Sequence, residues 1–199
     1  MRSLSLRAAL LPLAAAGLVA PFLGGSATAV SDAGASAPAA PDSVVTVKDK
    51  PGDIDSGVDL RKARLVNREM VRVVLRHDDL VPHPEAGYGG GASIFFDTDP
   101  AEKGPEYEFV GGLFQGTDYV LAETDGWKRG KNVNMQKCFY VMRLDYDAER
   151  TAVRIDPECL GDPERVRIAV RAAADTDDGS DLDWLVKRRQ FTAWADSDR

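Results

Sequence analysis

Residues 138–159, CFYVMRLDYDAERTAVRIDPEC, decide how the rest of the chain is read. The two halves mirror each other about Asp147-Ala148-Glu149-Arg150, a four-residue loop suited to a hairpin. Pairing Tyr146 with Thr151 sets Leu144 opposite Val153, Met142 opposite Ile155 and Tyr140 opposite Pro157, and it brings Cys138 opposite Cys159. That face is apolar. On the other face Arg143 meets Arg154 and Asp145 meets Ala152, and because side chains alternate, one register sorts core from solvent in both strands. Directly opposed residues in an antiparallel pair lie about 4.5–5.5 Å apart at Cα, within reach of a disulfide. The expectation is a hairpin closed by a Cys138–Cys159 disulfide, as suits a chain exported to an oxidising space.

Working outward, residues 60–66 and 70–76 read as strands joined by a turn at Asn67-Arg68-Glu69. Residues 78–91 are rich in Pro and Gly and form a long loop. Ala92-Ser93-Ile94-Phe95-Phe96 is apolar at consecutive positions, as in a strand covered on both faces, and it stops at Asp97-Thr98-Asp99-Pro100. Residues 106–114 and 118–123 follow as strands, and 165–172 alternates strictly. The acidic stretch 175–183 reads as a loop, 191–194 as a short closing strand, and Trp184-Leu185-Val186 as either strand or one helical turn. Eight or nine strands without a long amphipathic helix predict an all-β fold: an antiparallel β-sandwich, jelly-roll-like, with a closed barrel as the alternative.

The N-terminus has a different character. MRSLSLR carries two arginines and no acid, then residues 8–23 are apolar, then Gly24-Gly25-Ser26-Ala27-Thr28-Ala29 is small. This is the order of a secretory signal peptide. Cleavage is expected after Ala29, with Ala35 or Ala37 as alternatives, giving a secreted, extracellular protein. Pro12 and Pro21 interrupt the apolar run, which is also short for a membrane span, and no later stretch is long enough for one. Residues 30–52 read as an Ala/Ser/Pro-rich linker or disordered arm, with Val44-Val45-Thr46-Val47 able to add an edge strand, and 53–199 as the sandwich domain.

The formal net charge is −7, and losing residues 1–29 makes the excess of acid larger. A general binder of nucleic acid or anionic membrane carries the opposite balance, so neither is expected as a partner. Seven arginines, Arg72, Arg76, Arg143, Arg154, Arg165, Arg167 and Arg171, fall on non-core faces of the strands. The expectation is that they keep the sheets soluble and pair with aspartates; the alternative is one basic sheet face that binds an acidic polymer.

Candidate sites are sparse. Aspartates cluster at Asp53/Asp55, Asp97/Asp99, Asp145/Asp147 and through 175–183, and two carboxylates spaced D-x-D in a loop are able to converge on Ca²⁺. Asp97 and Asp99 are the first choice, since they leave a buried strand. Val186 stands where an EF-hand needs its bidentate Glu, so that motif is rejected. No cofactor is expected, calcium apart. His77 and His83 offer a weak zinc pair beside Asp78, Asp79 and Glu85, with surface histidines as the commoner reading. Gly87-Tyr88-Gly89-Gly90-Gly91 leads into a strand rather than a helix, so it is no phosphate loop. Tyr107, Tyr119, Trp127 and Trp184 lie in or near loops and strand ends, where exposed rings stack on sugars; Trp127 is the expected exposed one.

An aspartate-led first strand, the apolar strand ending FFDTDP, Gly104-Pro105-Glu106-Tyr107 opening the next, and the late Asp183-Trp184 and Phe191-Thr192-Ala193-Trp194 together carry a resemblance. The chain resembles small exported β-sandwich proteins of high-GC Gram-positive bacteria and, loosely, jelly-roll carbohydrate-binding-like domains. The resemblance implies the sandwich; it assigns no activity and no ligand residues. The functional expectation is a secreted, non-catalytic binding or interaction module for a glycan or cell-envelope component. The alternatives are a small carboxylate-dependent hydrolase assisted by calcium, and a structural or inhibitory protein acting through the 78–91 loop.

Overall fold

Apolar residues at every second position carry most of the chain into strands, seen in a computed structural model that describes residues 42–54, 57–83, 89–176 and 179–199. All lie in one compact unit, Ala39–Arg199. The expected signal segment, the arm up to residue 41, Asp55, residues 84–88, Asp177 and Asp178 lie outside the described residues.

In chain order the strands are β1 Val44–Lys48, β2 Leu60–Asn67, β3 Val71–His77, β4 Gly90–Asp97, β5 Tyr107–Gly112 and β6 Tyr119–Asp125. They continue as β7 Lys128–Asn132, β8 Tyr140–Asp145, β9 Arg150–Ile155, β10 Arg165–Thr176, β11 Gly179–Trp184 and β12 Ala195–Asp196. Two antiparallel sheets result. The first has the order β1-β2-β3-β9-β8; the second runs β11-β10-β4-β5-β6-β7, with β12 beside β10. The all-β sandwich is as expected, with twelve strands among the described residues rather than eight or nine.

The core lies between the sheets. Leu65, Val73 and Val153 on the inner face of the first sheet join Ile94, Phe96, Phe109, Ile168 and Val170 of the second in one buried cluster. β5 of the second sheet lies close against β8 of the first: a Cβ on Gly111 would stand 2.6 Å from Met142 Sδ, so a larger residue there has to displace the Met142 side chain.

The opening hairpin exists, but two residues out of the expected register. Tyr140 faces Ile155, Met142 faces Val153, Leu144 faces Thr151 and Asp145 faces Arg150, so the loop is 146–149. The turn is held by Asp145 Oδ1, which accepts the Ala148 N–H at 3.1 Å, and by the Asp145–Arg150 ion pair at 2.6 Å, with Glu149 at φ 46°. A shift of two preserves both faces, since two is the side-chain period. The disulfide is therefore not a cross-strand pair. β9 ends at Ile155, and a 3₁₀ turn, Pro157–Leu160, swings Cys159 back to Cys138 with 5.5 Å between Cα atoms.

Other expectations are corrected. β1 belongs to the first sheet, with Val45 and Val47 packed on the core, so the fold begins before residue 53. Most of the acidic "loop" is the β10–β11 hairpin, in which Ala172 faces Asp183 and Ala174 faces Asp181. Of the two readings of Trp184, the strand holds, since it ends β11; the closing strand is Ala195–Asp196 rather than 191–194. β7 was not anticipated: all five of its residues are exposed, so no apolar alternation announces it.

Candidate functional site

The outer face of the first sheet gathers cations in register. Antiparallel pairing across all five strands aligns the outward residues in three rows. The first row is Lys48-Lys62-Arg76-Arg150-Asp145, the second Thr46-Arg64-Val74-Ala152-Arg143, and the third Val44-Val66-Arg72-Arg154-Val141. Eight of these fifteen positions are basic and one is acidic, in a chain whose net charge is −7. Neighbours within a row stand about 4.8 Å apart and neighbours along a strand about 6.6 Å, so the charges form a dense lattice.

Few of these cations are neutralised. Arg150 pairs with Asp145, Arg76 donates to the carbonyl of Ala148, and an Arg154 Nη2–H contacts Met70 Sδ at 3.1 Å. Among the described residues, Lys48, Lys62, Arg64, Arg72 and Arg143 take part in no ion pair. Lys48 faces Lys62, Lys62 faces Arg76, Arg76 faces Arg150 and Arg72 faces Arg154. Each such like-charge pair costs a few tenths to about 1 kcal/mol. Solubility requires charge, not charge of one sign, so it does not account for the lattice. The expectation that Arg72, Arg76, Arg143 and Arg154 pair with aspartates therefore fails. Two depressions open at the lattice, each lined by acids as well as arginines: one of about 570 Å³ with Arg64, Arg68 and Arg72 beside Glu69 and Asp198, another of about 410 Å³ with Arg143 and Arg150 beside Asp145 and Asp147.

The outer face of the second sheet treats its arginines differently. Arg167 stands opposite Asp97, and Arg171 opposite Ser93 on one side and Trp184 on the other. The segment 185–194 returns across this face, anchored where the Thr192 N–H donates to Ile168 O at 2.8 Å. Arg167 is held by Asp97 Oδ2 at 2.8 and 2.6 Å, and its guanidinium lies 4.8 Å from the Phe191 ring and 4.4 Å from Trp194. Phe95 stacks on Trp184 at 5.8 Å and tilts against Trp127 at 5.0 Å, and Trp127 also stacks on Phe191 at 5.3 Å. These rings and guanidinium groups make a second small core.

Trp127 and Trp184 thus come together, half-buried in one aromatic layer. Tyr107 and Tyr119 do not join them. They lie on the inner side of the second sheet, where Tyr119 stacks on Phe109 at 5.7 Å and Tyr107 lines a depression of about 400 Å³ beside Glu123, Lys131, Glu158 and Cys159. The four aromatic residues therefore lie on two sides of the sheet.

Asp97 and Asp99 are also separated in role. The Asp97 side chain is wholly buried against Arg167, and burial raises its carboxyl pKa although the guanidinium opposes this. Asp99 is exposed and accepts the Ala101 N–H at 2.8 Å. His77 is no surface residue: it is buried, with Nε2 3.0 Å from Thr151 Oγ1 and Nδ1 3.4 Å from Val58 O, and burial lowers its pKa to about 4. His83 is exposed. A carboxylate cluster that sequence spacing does not announce joins Asp53, Asp59 and Asp183.

The site and fold define an all-β sandwich with one disulfide and a strongly basic outer sheet face. Comparison with protein-family models, curated proteins and solved structures finds no match to this chain.

Proposed function

We propose that the chain is an exported, non-catalytic binding module that holds an anionic polymer of the cell envelope on the outer face of its first sheet. The supporting observation is the lattice of eight cations against one acid. A flat lattice of this kind suits an extended chain carrying regularly spaced phosphates or carboxylates, which meets several cations at once. The Cys138–Cys159 disulfide accords with an oxidising location, and among the described residues no helix is long and apolar enough to cross a membrane. A carboxylate hydrolase has less support, because two of the four carboxylates lining the depressions on this face are taken up in ion pairs, Asp145 with Arg150 and Asp198 with Arg68.

The test is retention on three immobilised polymers, a polyol phosphate, neutral cellulose and duplex DNA, at low and high salt. Retention on the polyol phosphate that is lost at high salt is expected. Replacing Arg72→Glu and Arg154→Glu together lowers affinity by about tenfold or more, given ~1 kcal/mol per charge contact. Equal retention on DNA would replace the envelope reading with general polyanion binding. Retention on cellulose alone, lost in Trp127→Ala, would move function to the aromatic face.

A further inference from the structure

We propose that Asp53, Asp59 and Asp183 form a calcium site that fastens the β1–β2 loop and the start of β2, in the first sheet, to the edge strand β11 of the second. One carboxylate oxygen from each residue lies within 4.8 Å of the others. Asp59 and Asp183 are only 2% and 3% exposed, while Asp53 opens to solvent.

The number of acids is not the argument. Asp59 Oδ2 accepts the Gly52 N–H at 2.7 Å, but its Oδ1 is buried and, among the described residues, has no hydrogen-bond partner. A buried carboxylate oxygen without a donor is costly, and a cation is the partner that three converging carboxylates would share. Protein bases do not fill the role: Arg61, the base nearest in effect to Asp59, is paired with Asp78, while Asp49 adds a further negative field.

The surrounding bonds already assemble the loop as a ligand frame. Asp183 Oδ2 accepts the Leu60 N–H at 2.6 Å, and Asp49 Oδ2 accepts the Val186 N–H at 2.8 Å, so β2 and the end of β11 meet here. The ligand set is all oxygen, with no histidine or cysteine in the cluster, which selects a hard cation over zinc. Calcium fits better than magnesium, because it accepts irregular oxygen sets and does not insist on keeping a rigid octahedron of water.

The test uses thermal unfolding of the full chain in Ca²⁺, in Mg²⁺ and in EDTA, together with Tb³⁺ luminescence, for which Trp184 beside Asp183 is a built-in sensitiser. Ca²⁺ is expected to raise Tm by several degrees over EDTA, and Tb³⁺ emission to be displaced by Ca²⁺. Asp183→Asn removes both effects. Should that variant fail to fold, Asp53→Asn, on the exposed member, weakens Ca²⁺ affinity about tenfold while the fold persists. Asp99→Asn changes neither. Equal Tm in Ca²⁺ and EDTA, an equal rise with Mg²⁺, or a rise undiminished in Asp53→Asn overturns the proposal.

Discussion

The two outer faces of this sandwich start from the same sequence pattern and end as different chemistry. Both carry arginines on the outward parity of a strand: Arg72 and Arg76 in β3, Arg165, Arg167 and Arg171 in β10. On the second sheet a returning C-terminal segment lays Phe191 and Trp194 over Arg167, and Asp97 takes its charge. On the first sheet no comparable layer is present among the described residues, and Arg72 stays exposed beside Arg154. An arginine on a strand is thus a structural part or a binding group according to what crosses its face.

Truncating the two kinds of arginine tests this contrast most severely. Arg167→Ala leaves the Asp97 carboxylate wholly buried and unpaired, and is expected to cost about 3–5 kcal/mol in urea unfolding. Arg72→Ala, at an exposed position without an ion pair, changes stability by no more than about 0.5 kcal/mol. Equal effects would erase the distinction between the faces.

Acid sharpens the comparison from the other side. His77 ends β3 in the first sheet, and its pKa falls from 6.5 to about 4 on folding. Below pH 6.5 the unfolded chain binds this proton and the folded chain does not, so stability drops from pH 6.5 to about 4 and then levels. The loss is up to about 3 kcal/mol. Asp97 acts in the opposite sense: its raised pKa means that the folded state takes up the proton first as pH falls. Urea midpoints at pH 7 and pH 4.5 should differ less in His77→Gln than in the native chain, and an unchanged difference would remove His77 from the account.

Trp127→Ala gives a smaller effect. Removing a half-buried ring from between Phe95 and Phe191 is expected to cost about 2 kcal/mol while leaving affinity for an anionic polymer intact. A loss of polymer affinity without a loss of stability would reverse the roles of the two faces.

Particular residues show how far sequence reading reached. The alternation in 140–145 and 150–155 assigned each side chain to its face, although the register is two residues away from the expected one. Face depends on parity, whereas register depends on the turn, and Asp145 closes that turn one residue earlier. The cysteine pairing was correct, but its cause is a 3₁₀ turn that the cross-strand pairing omitted. Asp59 is not singled out by spacing, because Asp53 lies six residues away in the same loop with no regular pattern between them and Asp183 comes from a strand far along the chain. Nor does spacing reveal that Trp127 packs against Phe191.

The sequence alone therefore determined the class of fold, the sorting of side chains into faces and the disulfide partners, because a period of two is local and survives errors of register. Only the tertiary structure decided which arginines stay free, which rings are buried and which carboxylates meet. Those outcomes depend on contacts between segments far apart in the chain, and no local period encodes which distant segment will cover a face.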